Sequence, residues 1–211
     1  MFVLRILTLG ALSLALASAQ MIKQCPCSET EPCYNQAIQI AESCADKCQH
    51  HVTAMGVSYV KAKACVMRYL SQVKQGMTCA KNAFGQVCSS TGRDMVPVRH
   101  TESLQIAAFK EATVAMQRSG LISEASSLLQ IGRKALACAI KCGQSQPCAR
   151  LLNCGLRLPP DNVIVRTVKS CAMATGLINT QTARAACNCI AAAGMKQLFP
   201  ICPKINVVMP P

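Results

Sequence analysis

The sequence predicts an all-α fold, a disulfide-rich helical protein assembled from two related cysteine units. Three observations carry that expectation. Sixteen cysteines, an even number, lie at Cys25, Cys27, Cys33, Cys44, Cys48, Cys65, Cys79, Cys88, Cys138, Cys142, Cys148, Cys154, Cys171, Cys187, Cys189 and Cys202. Apolar residues recur at helical spacing, and no segment sustains the alternation of a strand. The stretch Lys63-Ala-Cys65-Val-Met67 returns as Lys169-Ser-Cys171-Ala-Met173, and sixteen residues separate each of these cysteines from an earlier one, Cys48 or Cys154.

Residues 1–19, MFVLRILTLGALSLALASA, open the chain with one basic residue, Arg5, an apolar run and the small-residue end Ala17-Ser18-Ala19. This is the pattern of a secretory signal peptide, too short and too abruptly polar afterwards to span a bilayer. Cleavage after Ala19 leaves Gln20 first, where it could cyclise. No second stretch of spanning length follows, so no transmembrane segment is expected and the chain should be secreted and extracellular. The secretory route is oxidising, which makes disulfides the expected state of the cysteines. Structural zinc would call for Cys-x2-Cys knuckles; this chain has Cys-x-Cys and Cys-x3-Cys, twice each, and no Cys-x2-Cys. Trp is absent and aromatics make up 3%. The core must then be Leu, Ile, Val, Ala and Met, with cross-links offsetting the missing aromatic burial.

In chain order, apolar positions predict a helix over 36–53, with Gly56 as a stop. A second is predicted over 57–75, ended by Gly76, and a short one over 77–88. Ser89 to Asp94 reads as a loop that Pro97 keeps non-helical. Residues 102–119 form the clearest amphipathic helix, with Thr101 as N-cap and Gly120 as stop. Its Phe109 and Met116 lie on an apolar face, expected to meet the core. Another helix is predicted over 124–142, between Ser123 and Gly143. Pro159-Pro160 break the chain, Asp161 caps 162–175, and Gly176 ends it. Thr180 begins a last helix over 181–193, stopped by Gly194. Pro200, Pro203 and the tail are expected to be extended or disordered.

These elements divide into a disulfide-stapled unit at 20–95, central helices at 96–143, a basic disulfide-stapled unit at 144–204 and a tail at 205–211. Each half holds eight cysteines and one Cys-x3-Cys pair, 44/48 and 138/142, which places two thiols on one helix face, one turn apart. Such a pair is suited to staple one helix to two neighbours. Read as a duplication of residues 25–90 and 138–203, the pattern predicts disulfides confined to each half.

Charge is uneven. Without Arg5 the chain has 21 Lys and Arg against 9 Asp and Glu; residues 125–211 hold ten of those cations and Asp161 as their one acid. A half-chain this basic should attract sulfated glycans, acidic matrix proteins or acidic lipid, while nucleic acid is not an expected partner outside a cell. The candidate contacts are Arg133, Lys134, Lys141, Arg150, Arg157, Arg166, Lys169, Arg184 and Lys196.

Catalytic signals are thin. No Gly-x-Ser-x-Gly or His-Glu-x-x-His occurs, and Asp stands only at 46, 94 and 161, which leaves no calcium loop. The histidines are His50, His51 and His100. Adjacent histidines on a helix point about 100° apart, so His50 and His51 do not share an ion with Cys48 and are expected at the surface. No cofactor or metal is expected, nor an enzyme. No Asn-x-Ser/Thr sequon exists, and the one Ser-Gly, Ser119-Gly120, has basic and apolar flanks unsuited to a glycosaminoglycan chain.

Cys44-Ala-Asp-Lys-Cys48 with Cys65, and Cys138-Ala-Ile-Lys-Cys142 with Cys171, together with Ala-, Gln- and Met-rich helices behind a signal peptide, resemble nematode secreted cysteine-rich proteins. The most similar type is the chondroitin-proteoglycan domain of eggshell and extracellular matrix proteins. The resemblance covers about half of the chain and implies a structural matrix or eggshell role. The glycan-attachment serine cluster of the proteoglycan members is missing here. The expected function is therefore a secreted, non-enzymatic structural or interaction protein that binds acidic partners through its basic C-terminal half. The alternative is a secreted helical lipid-binding or membrane-active protein, and a third option is a ligand or inhibitor of another protein.

Overall fold

The computed structural model describes residues 20–99, 101–146, 148 and 153–207, with 101, 122–129 and 131 described by backbone alone. The signal-peptide segment, His100, Arg150 and tail residues 208–211 lie outside the described residues. The chain runs β1 (Met21–Lys23), α1 (Cys27–Lys47), α2 (His50–Thr53), α3 (Tyr59–Met67), α4 (Leu70–Phe84), β2 (Met95–Pro97), α5 (Thr101–Arg118), α6 (Ile122–Gln144), α7 (Asp161–Ala174) and α8 (Thr180–Ala192). Two 3-10 turns follow, Lys196–Leu198 and Cys202–Lys204. The all-α, disulfide-rich expectation holds.

Several boundaries differ from the sequence reading, each for a local reason. α1 starts at Cys27, ahead of the expected 36, and carries Pro32 inside it. The helix expected over 57–75 divides at Arg68-Tyr69 into α3 and α4. Gly76 does not stop α4, which runs through it. Gly85, with φ 64°, ends the helix instead. α6 runs through Gly143 to Gln144. Around Pro203 the chain forms a 3-10 turn rather than an extended end, because Cys202 is fully buried and bridged to Cys187. α5, α7 and α8 fall where expected. Asn179 caps α8, its side chain accepting from the Thr182 amide.

All sixteen cysteines pair, as Cys25–Cys154, Cys27–Cys88, Cys33–Cys148, Cys44–Cys142, Cys48–Cys138, Cys65–Cys189, Cys79–Cys171 and Cys187–Cys202. Six of these bridges join one half to the other, which overturns the expectation that they stay within each half. The Cys-x3-Cys pairs also do not reach two neighbours each. α1 and α6 lie antiparallel, and their one-turn spacings match rung to rung, with Cα–Cα distances of 5.5 and 6.0 Å. Two thiols on one face have the same rise as two thiols on an antiparallel partner, so a double clasp satisfies both pairs together.

The repeated Lys-x-Cys-x-Met segments are used reciprocally. Cys65 of α3 bonds Cys189 of α8, and Cys171 of α7 bonds Cys79 of α4. Each echo therefore reaches the following helix of the opposite half. α4 packs on α7, α3 on α8, and α1 on α6. The echo in the sequence corresponds to an exchanged pair of helices rather than to two separate staples.

The core is small. One buried cluster gathers Val57, Ala62, Leu121, Ala191, Met195, Leu198 and Ile201 around Cys202, drawing on both halves and the α5–α6 turn. Val96, Cys44 and Cys202 are the largest fully buried side chains. A core of this size buries little apolar area per residue, so the bridges take over much of the stabilisation. A single bridge closing a loop of about one hundred residues restricts the unfolded chain by about 4–5 kcal/mol in the entropic account, and nested loops share that gain. The N-terminal segment is tied in by β1–β2 pairing, by Gly155 N donating to Lys23 O, and by Cys25–Cys154. Gly155 is obligatory there, since a Cβ would stand 2.7 Å from Val96 and 2.8 Å from Ile22.

Two outcomes follow. Under non-reducing conditions, mass spectrometry of proteolytic fragments should recover six cross-half bridges, among them Cys65–Cys189 and Cys79–Cys171; a majority of within-half pairs would refute this connectivity. At Gly194, φ is 138° and a Cβ would meet Gly56 O at 2.5 Å. Gly194→Ala should therefore cost about 2 kcal/mol or more, lowering Tm by about 4 °C or more, while Gly132→Ala, in open space on α6, should not.

Candidate functional site

The candidate cations sit on several elements. Arg133, Lys134 and Lys141 are on α6, Arg157 follows it in the connection to α7, Arg166 and Lys169 are on α7, Arg184 is on α8, and Lys196 opens a 3-10 turn. Arg150 lies outside the described residues. Lys134 and Lys141 are seven residues apart, two turns along one face of α6.

The structure divides this group by what each cation meets. Lys169 Nζ donates to Glu111 of α5 at 2.9 Å. Arg133 lies over the Phe109 ring of α5, 5.1 Å from its centroid. Arg157 stands 4.0 Å from Asp94, and Arg184 Nε donates to the Ile205 carbonyl at 2.9 Å. Lys134, Lys141, Arg166 and Lys196 are exposed, and no described residue bonds or pairs with them. Asp161, the one acid among residues 125–211, is taken by Arg99 at 2.6 Å, and Arg99 also donates to the carbonyls of Leu158 and Pro159.

The two echoed lysines play matching parts. Lys63 donates to both oxygens of Asp46 at 2.8 and 2.9 Å, tying α3 to the end of α1, as Lys169 ties α7 to α5. Tyr59 Oη donates to the same Asp46 carboxylate at 2.7 Å. The Lys63 hydrogen bond, helped by that of Tyr59, holds the Asp46 carboxyl below the usual carboxylate range. Partial burial, then the Asp46 carboxylate, pushes the Tyr59 phenol up to about 12. The Lys169 hydrogen bond likewise lowers Glu111. Sequence reasoning missed Asp46, Tyr59 and Glu111; the repeated lysine two residues before cysteine was the available signal.

Other features are apolar or structural. An open cleft of about 130 Å³ lies between the α3–α4 junction and α8, lined by Cys65, Val66, Tyr69, Val73, Leu177 and Ile190. Val60 and Val66 on α3 are strongly exposed. Phe109 and Met116 are half-buried, so α5 meets its neighbours with a stripe that none of its described residues carries into full burial. His50 is exposed and His51 half-exposed, their ring centroids 4.0 Å apart on α2. Among the described residues no three His, Cys, Asp or Glu side chains form a metal-binding group, and no helix is long and apolar enough to cross a membrane. No family model matches the chain, and neither the curated proteins nor the solved structures compared with it include a match.

The Asp46–Tyr59 pair has a pH signature. A phenol raised in the folded state stabilises fully below the ordinary value of 10, and that contribution is lost as pH rises through about 12. The lowered Asp46 acts in the opposite range, its contribution present above the ordinary carboxylate pKa and lost in acid. Ultraviolet titration should show one of the three tyrosines ionising near 12, and Tyr59→Phe should remove that step; three normal transitions in the native protein would contradict the assignment.

Proposed function

We propose that this is a secreted, non-enzymatic structural or interaction protein of an extracellular matrix or eggshell, which binds an acidic partner through its basic C-terminal half. One observation supports it above the rest: Lys134, Lys141, Arg166 and Lys196 stand exposed, with no side-chain partner among the described residues, in a half-chain whose single acid is engaged by Arg99. Complete pairing of the cysteines suits persistence outside the cell, because it restricts the unfolded chain and leaves no free thiol to exchange. The naming of eggshell rests on the resemblance of the Cys-x3-Cys segments to chondroitin-proteoglycan domains.

The apolar cleft beside α8, with Val60 and Val66 exposed nearby on α3, favours the lipid-binding alternative. Salt separates the two. Exposed charges are screened over about 8 Å at physiological ionic strength, whereas apolar burial survives salt. The mature protein should bind heparin at low salt and elute as salt rises, with Lys134→Gln and Lys141→Gln together advancing the elution. Binding to acidic liposomes that persists at 1 M salt, with no retention on heparin, would replace this reading with the lipid one.

A further inference from the structure

Helix α5 differs from the rest of the molecule in how it is held. No cysteine lies between Cys88 and Cys138, so no bridge touches it, whereas α1, α3, α4, α6, α7 and α8 are all clasped. From 102 to 120 no residue is buried. Yet α5 lies on both α6 and α7, and on each it covers a cation of the candidate surface: Glu111 holds Lys169, and Phe109 lies beneath Arg133.

We propose that α5 is a tethered internal competitor for the basic surface: an acidic partner displaces Glu111 from Lys169, α5 lifts from α7 and α6 while the bridged frame stays closed, and Lys169 and Arg133 join the exposed cations in binding. The inference rests on the polyanion-binding reading. Its physics is local. An ion pair between half-exposed side chains is weak and easily exchanged, so a multivalent polyanion offering several sulfates outcompetes a single carboxylate. α5 also carries neither a buried residue nor a bridge, which places its opening at the low end of local stability.

The test compares Glu111→Gln with Glu102→Gln, which removes the same charge from an exposed position in the first turn of α5. Binding of the mature protein to heparin should tighten roughly two- to five-fold more for E111Q than for E102Q, the range expected for release of one exposed ion pair. Hydrogen exchange, read alongside, should be faster in α5 but unchanged in α4 and α7 when wild-type protein is saturated with heparin. Equal tightening by the two variants, or α5 exchange that slows on binding, overturns the internal competitor while leaving polyanion binding intact. Absence of heparin binding by wild type and both variants removes the binding reading itself, and this inference with it.

Discussion

The double clasp between α1 and α6 sets the conditions for everything else in the molecule. Two helices with thiols one turn apart on each can close both bridges only when the pairs lie in register, and here the helices run antiparallel. Once Cys44–Cys142 and Cys48–Cys138 are closed, residues about one hundred positions apart are neighbours. The helices that follow each clasped segment are then brought side by side, and α3 meets α8 while α4 meets α7. Aliphatic packing alone offers little to enforce this, since the fully buried side chains are no larger than valine or half-cystine. The fold replaces the large aromatic payload of an ordinary core with covalent restriction of its unfolded state.

Much of the helix content was legible in the sequence. Gly120, Pro159-Pro160, Gly176 and Gly194 bracket α5, α7 and α8 through local chemistry, fixed φ and missing donors, while the side-chain cap of α8 comes from Asn179, one residue before the expected Thr180. The failures have a common cause. Gly76 reads locally as a stop, but α4 continues through it to Phe84. The apolar periodicity starts the first helix at 36, but α1 begins at Cys27 and includes Pro32. The pairing of cysteines was illegible for a stronger reason. A repeated spacing is equally compatible with bonds inside each repeat and with bonds exchanged between repeats, and only the register of α1 on α6 decides between them.

The same limit applies to the candidate surface. Sequence identified an excess of cations in the second half, but not which of them would be engaged. That depends on acids and rings supplied from the first half and the central helices: Glu111 for Lys169, Phe109 for Arg133 and Asp94 for Arg157. Among the described residues Lys134, Lys141, Arg166 and Lys196 meet no such acid or ring. The lysine echo carries this further, since Lys63 and Lys169 each stand two residues before a bridged cysteine and both fasten a neighbouring helix through a carboxylate.

The crossed bridges also fix how the molecule carries mechanical load. Tension applied between Gln20 and Val207 would pass through Cys25, Cys27, Cys88, Cys79, Cys171, Cys187 and Cys202, jumping at each bridge instead of following the chain. That path contains about forty residues and three bridges, against nearly two hundred residues along the backbone, so even a fully unravelled molecule reaches only about 150 Å. Its stretched length is limited by covalent bonds and barely by folding energy. Such a molecule is a link that yields a little and then stops.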